Sequence, residues 1–161
     1  MVKTTYLEML SVDELVSRPT VDPGLCVREI TEHQWQISEF YYKAVGKQWQ
    51  WCDRLKWTDI QWRDHIETGG LRTFVVTDKG ADAGYFDLGR DGNASVEIVN
   101  LGLLPAFIGR HLGGALVTAA LRQAWAWDAQ RVWLHTCTHD HPRALDNYCK
   151  SGLRIFKTEE D

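Results

Sequence analysis

Between Val96 and Leu116 the chain passes from an extended stretch through a glycine-punctuated turn into a helix-forming one. Few folds accommodate that succession. Val96, Ile98 and Val99 favour a strand, Pro105 ends it, and Gly109, Gly113 and Gly114 mark the turn. Leu112, Leu116 and Ala119–Ala120 then recur at helical spacing, which predicts a helix from Gly109 to about Trp127. Glycines permit a tight turn and close approach of a ligand, and a helix start offers unpaired N–H groups with positive dipole character. The segment reads either as a pyrophosphate cradle or as a loop shaped only to turn a strand into a helix. No Gly-Lys-Ser/Thr follows, which excludes a P-loop. The GxGxxG register of a dinucleotide fold is also missing, and the preceding strands are joined as hairpins.

The flanking pattern supplies a sheet for this turn. Leu71–Thr77, Asp82–Gly89 and Ser95–Leu104 read as an antiparallel meander with turns at Lys79–Gly80 and Asp91-Gly92-Asn93. Upstream, a strand is predicted over Leu25–Ile30. A helix follows from a Thr31/Gln34 capping box to about Val45, where Gly46 stops it, and a second helix spans Thr58 to Glu67. Downstream come a strand at Arg131–Cys137, a short helix at Pro142–Ser151 and a strand at Leu153–Lys157. Residues 1–24, with Pro19, Pro23 and Gly24, read as a polar lead-in holding a short helix at Ser11–Ser17; residues 25–161 read as one domain. The order implies an α/β (α+β) fold, a central mixed, mostly antiparallel sheet flanked by helices.

Composition narrows the function. The 161 residues suit one domain, and the net charge of −4 argues against nucleic acid held by bulk electrostatics. No run of about 18 apolar residues exists to cross a membrane. The stretch Met1–Glu8 lacks the basic-then-apolar pattern of a signal peptide, and the four cysteines form no CxxC. A cytoplasmic protein with free thiols is the expectation.

Two segments carry a family resemblance. The loop Ile108-Gly-Arg-His-Leu-Gly113 resembles the Q/R-x-x-G-x-G/A loop of the GNAT superfamily of N-acetyltransferases, and its spacing from the strand Glu97-Ile-Val-Asn-Leu-Gly-Leu103 matches the family's without a gap. Ile108 stands at the Gln/Arg position and His111 at the first glycine. Ala144-Leu-Asp-Asn-Tyr148-Cys-Lys-Ser-Gly152-Leu resembles the family's A-x-x-x-Y-x-K-x-G-F segment, with His141 where the family often has Asn. The likeness covers roughly residues 25–157 and is sharpest from Glu97 to Gly152.

The resemblance implies a GNAT fold and acetyl transfer from acetyl-CoA to a primary amine, a small molecule before a protein, by direct attack in a ternary complex. Backbone groups of Leu101, Gly102 and Leu103 would pair with the pantetheine arm. Those of Ile108, Gly109, Arg110, His111, Leu112, Gly113 and Gly114 would hold the pyrophosphate. The strand from Glu97 resembles that of the family's histone-acetyltransferase branch, where the glutamate is the general base, which makes Glu97 the candidate base. The raised pKa of a half-buried strand carboxylate suits that role, and a solvent-facing strand residue is the competing reading. Tyr148 is the candidate acid for the departing thiolate. The alternative function is a non-catalytic acyl-CoA-binding regulatory module on the same fold.

Two further clusters draw attention. Five of the eight tryptophans lie between Trp35 and Trp62, together with Tyr41, Tyr42, Asp53 and Arg54. Aromatic faces with a carboxylate suit a cationic amine, so Tyr41, Trp51 and Asp53 are expected at the acceptor, with the remaining aromatics covering the sheet. His135-Thr-Cys137-Thr-His139-Asp-His141 alternates ligand types, but the run leaves the strand before Pro142. No metal is expected there, and His139 or His141, His139 before His141, is expected to touch substrate. Aromatic surface and small size are compatible with a homodimer.

Overall fold

The computed structural model describes residues 1–18, 24–92 and 94–161. Seven strands form one sheet: β1 (Lys3–Met9), β2 (Leu25–Ile30), β3 (Arg72–Asp78), β4 (Ala81–Asp91), β5 (Ser95–Leu103), β6 (Arg131–Cys137) and β7 (Arg154–Glu160). Four α-helices accompany them: α1 (Gln34–Gly46), α2 (Asp59–Arg63), which continues as a π-helical turn over Asp64–Thr68, α3 (Gly113–Trp125) and α4 (Ala144–Lys150). The strand order is β2-β3-β4-β5-β6-β1-β7, antiparallel throughout except for β5 beside β6. The mixed, mostly antiparallel sheet flanked by helices is the fold class expected from the sequence.

The amino-terminal stretch, expected as a polar lead-in, instead enters the sheet. β1 lies between β6 and β7, with Leu7 opposite both Leu134 and Ile155. Thr5, Leu7 and Met9 are buried on one face, while Tyr6 and Glu8 occupy the other. That period of two is a strand signal in its own right. The helix predicted at Ser11–Ser17 shrinks to a 3-10 turn over Val12–Glu14, capped by Ser11. Pro19, Pro23 and Asn93 lie outside the described residues.

Local chemistry also moves two helix starts. The Thr31/Gln34 box does not form, because Gln34 Nε2 donates across to Leu71 O (2.6 Å) and Thr73 Oγ1 (3.2 Å), tying α1 to β3. His33 takes the N-cap position with φ 53° and no side-chain bond. A capping box does form at Thr58 and Gln61. α3 begins at Gly113 rather than Gly109: Pro105–Phe107 make a 3-10 turn, then Gly109 (φ 84°) and His111 (φ 60°) adopt left-handed backbone that no helix can contain.

A bulge in β5 decides which residues meet. Asp87 of β4 pairs with Asn100 and Leu88 with Ile98, so Val99 is the extra residue. Strict alternation would set Asn100 on the same face as Ile98. The bulge reverses this. Val96, Ile98, Leu101 and Leu103 pack on the α3 side, in a core that includes Leu116, Leu121 and Phe86. Glu97, Asn100 and Gly102 are left on the α1 side, where Tyr41, Val45 and Tyr85 form a second, smaller core. Burying each large core side chain contributes about 1.5–3 kcal/mol, so the register is strongly held on the α3 side.

Candidate active site

β5 and β6 pair for only three residues, Ser95–Glu97 against Arg131–Trp133, and then separate. Among the described residues no strand pairs with the β6-facing edge of β5 beyond Glu97, and Ile98 to Leu103 border a cavity of about 1450 Å³. One side of this cleft is the turn before α3, and the other is the chain between α1 and α2. Glu97, Tyr148 and His139, three of the candidates from the sequence, all line it.

The turn before α3 presents backbone. Ile108, Gly109, His111 and Gly113 border the cavity, whereas Arg110 lies over the Phe107 ring (4.9 Å) and Leu112 is buried beneath the turn. A side chain at Gly109 would meet nothing within 4 Å, so the turn is open there to a ligand. His111 holds left-handed backbone without being glycine, and histidine is among the residues that tolerate it best. No side chain caps α3, whose first N–H groups are therefore available to an anion.

Gly114, expected at the pyrophosphate, is covered instead by Arg18. Its guanidinium would lie 2.7 Å from a Cβ at that position. Arg18 is fixed from three directions: Nη1 donates to Asn147 O (3.1 Å) and Oδ1 (3.2 Å), and its main-chain N–H donates to Thr118 Oγ1 (3.0 Å). A cation beside the positive end of a helix is unfavourable by itself, and an anion between the two reverses the sign. The residues present thus fit a pyrophosphate, and Arg18 borders the cavity at that end. Its position in the expected lead-in concealed this from the sequence.

The opposite wall is made of side chains. Trp51 Nε1 donates to Asp140 Oδ1 (3.0 Å), joining the α1–α2 loop to the loop after β6. Asp140 also accepts from Thr136 Oγ1 and from the Cys137 N–H (3.1 Å), while Trp49 packs edge-on against His141 (5.0 Å). Gly46 and Gly102 make room for this strap. A Cβ on Gly102 would lie 2.3 Å from Val45, and one on Gly46 would lie 2.4 Å from Trp51. The missing side chain at Gly102 therefore serves packing against α1 as well as exposure of its backbone to the cleft.

Tyr41 is not at the acceptor wall, contrary to expectation. It is buried between α1 and the sheet, stacked on Tyr85 (5.2 Å), and does not border the cleft. Burial, with Asp82 beside it, pushes its phenol up to about 12. Tyr42, one residue on, borders the cleft in its place, alongside Trp51 and Asp53.

Glu97 is half-buried, and desolvation, aided by Asp91, raises its carboxyl pKa against the opposing pull of Arg54. Tyr148 is buried deeper, and desolvation moves its phenol far above the ordinary value, so it stays protonated at neutral pH. Among the described residues, no three His, Cys, Asp or Glu side chains converge to hold a metal ion.

The acetyltransferase (GNAT) family profile matches residues 28–153, and the chain belongs to that family. Solved structures share the fold at low identity. A GCN5-related N-acetyltransferase from Kribbella flavida superposes with TM-score 0.68 at 16% identity, covering 97% of this chain and 55% of that one. Another, from Sphaerobacter thermophilus, gives 0.71 at 14%, covering 98% and 49%. The chain thus spans about half the length of these matches. The spermidine N-acetyltransferase of Vibrio cholerae, solved with CoA and spermine, gives 0.64 at 18%, covering 81% of each chain. No curated protein matches at the level of sequence.

Proposed function

We propose that the protein transfers an acetyl group from acetyl-CoA to a primary amine, a small molecule in preference to a protein, by direct attack in a ternary complex. The observation that carries this reading is the opening between β5 and β6, which gathers an unpaired strand edge, the turn before α3, Glu97 and Tyr148 around one cavity. Extended amides of a pantetheine arm suit the free edge at 99–103, in the manner of an added strand. The pyrophosphate suits the α3 N-terminus and Arg18.

In the reaction the amine lone pair attacks the thioester carbonyl carbon, the C–N bond forms, and the C–S bond then breaks. Glu97 takes the proton released from nitrogen, and its raised pKa brings it closer to the amine it must deprotonate. The leaving thiolate receives the Tyr148 proton, which burial has kept on the phenol. Four unpaired thiols suit a reducing cytoplasm as the place of work.

Calorimetric titration with acetyl-CoA, and with CoA for comparison, tests the donor half of this reading. Micromolar affinity for both is the expected result. Absence of binding at millimolar concentration overturns it.

A further inference from the structure

Arg54 carries a charge at the acceptor wall that the proposed chemistry leaves unused. Its guanidinium sits between the rings of Tyr42 (5.4 Å) and Trp57 (5.3 Å), and its main-chain N–H donates to Tyr42 Oη (3.3 Å). Nη1 donates to Asn100 Oδ1 (3.3 Å). The Asn100 amide is itself oriented, since Nδ2 donates to Asp87 Oδ2 (3.5 Å). Asp87 is wholly buried and is held in turn by Ser38 (2.9 Å) and Thr73 (2.6 Å). A chain of fixed groups thus runs from the centre of the sheet to one cation at the cavity wall.

No carboxylate forms an ion pair with Arg54 among the described residues. Of its five N–H donors only one is spent on Asn100, leaving the rest of the fork for a bidentate acceptor. The acids around the cleft divide in two. Asp140 is committed to Trp51, Thr136 and Cys137, Glu159 to Tyr6 and Lys157, and Asp146 to Lys150. Glu97 and Asp53 border the same cavity without such partners. At this wall the Arg54 guanidinium beside Glu97 and Asp53 complements a zwitterion, not a polycation.

Resting on the acetyl-transfer reading above, we infer that the acceptor is an amine that also carries a carboxylate. Arg54 binds the carboxylate, Asn100 and the Tyr42 and Trp57 rings fix the guanidinium, and the amine end lies beside Asp53 and reacts as the free amine, whose proton passes to Glu97 on attack. Arg54 is therefore the residue that selects amino acids over polyamines and over neutral amines.

The test compares thiol release from acetyl-CoA with amino acids, with their carboxamides and with spermidine as acceptors. The acid is expected to exceed its matched carboxamide in kcat/KM by about 30-fold or more, the value of a charge-assisted pair. Arg54→Gln should raise KM for the acid by a similar factor and bring the acid-to-carboxamide ratio of kcat/KM close to one. Arg54→Lys, which keeps the charge, should recover part of the preference. Equal rates for acid and carboxamide in the unaltered protein, or faster turnover of spermidine, overturn the inference while leaving acetyl transfer standing. Turnover of no acceptor at all overturns it too, and the CoA titration then decides whether the donor reading falls with it.

Discussion

The donor wall of the cleft is one run of chain, Leu101 to Gly114, that offers mostly backbone to the cavity, joined by the guanidinium of Arg18. The acceptor wall is assembled from Tyr42, the Trp49–Arg54 loop, Glu97 and Asn100 of β5, and Asp140, and it works through side chains. Backbone can be kept while the side chains over it change, so Ile108 and His111 alter the motif without altering the turn. Side chains cannot be exchanged in this way. Several members of the acceptor wall depend on a partner distant in sequence, as Trp51 does on Asp140 and Arg54 on Asn100.

The largest expected effect tests the acceptor wall at its chemical centre. Glu97→Gln should lower kcat/KM at neutral pH by about 10²–10⁴-fold, the range for loss of a general base, with the affinity for CoA unchanged. In the unaltered protein the deprotonated carboxylate is the active form. Activity should therefore fall as pH drops through a pKa lying above that of an ordinary glutamate, and the glutamine variant should lose that limb. A pH–rate profile of kcat/KM checks both points. A variant within twofold of the parent would make Glu97 a wall residue and leave the acceptor side without its base.

How much of this was visible beforehand follows the same division. The turn and β5 were legible because clustered glycines and β-branched residues declare themselves locally, and the α4 tyrosine was legible through the family segment it resembles. The β1 strand was not read, although Thr5, Leu7 and Met9 alternate correctly, because seven residues before a proline-containing stretch resemble a tail. Arg18 was hidden with them. Tyr41 and Tyr42 differ by one helical step of about 100°, and composition alone cannot say which of two adjacent tyrosines faces the cleft. Asn100 reaches the Glu97 face only through the bulge at Val99, a one-residue event with no local signature in this strand.

Gly102 sharpens the comparison, since it belongs to the donor strand but its missing side chain serves the acceptor wall. Gly102→Ala places a methyl group 2.3 Å from Val45 Cγ1, and overpacking of this kind costs about 1–3 kcal/mol. Thermal unfolding should show that loss. If the Trp51 strap is displaced with Val45, KM for the amine rises more than KM for acetyl-CoA. Arg18→Gln should act in the opposite sense. Losing one cation beside the pyrophosphate should weaken acetyl-CoA binding by about 10-fold, less at high salt, with the acceptor's KM unmoved. An equal effect on both substrates would mean that Arg18 braces the fold through Asn147 and Thr118 instead of meeting phosphate.

His111→Gly should have the smallest effect and is the most direct test of whether the donor turn works through backbone. A non-glycine residue at φ 60° carries strain of roughly 1–2 kcal/mol, which glycine removes. Glycine also frees the unfolded chain, which returns about 0.4–1 kcal/mol of that gain. The net stabilisation should be about 0.5 kcal/mol, a rise in melting temperature of roughly 1–2 °C for a domain of this size. Affinity for CoA should stay within about twofold, because the contacts assigned to this turn come from N–H groups that the substitution leaves in place. A loss of tenfold or more, about 1.4 kcal/mol, would mean that the exposed imidazole itself faces the phosphates. The donor wall would then depend on side chains at His111 as well as at Arg18, and the contrast between the two walls would narrow to one of contiguity alone.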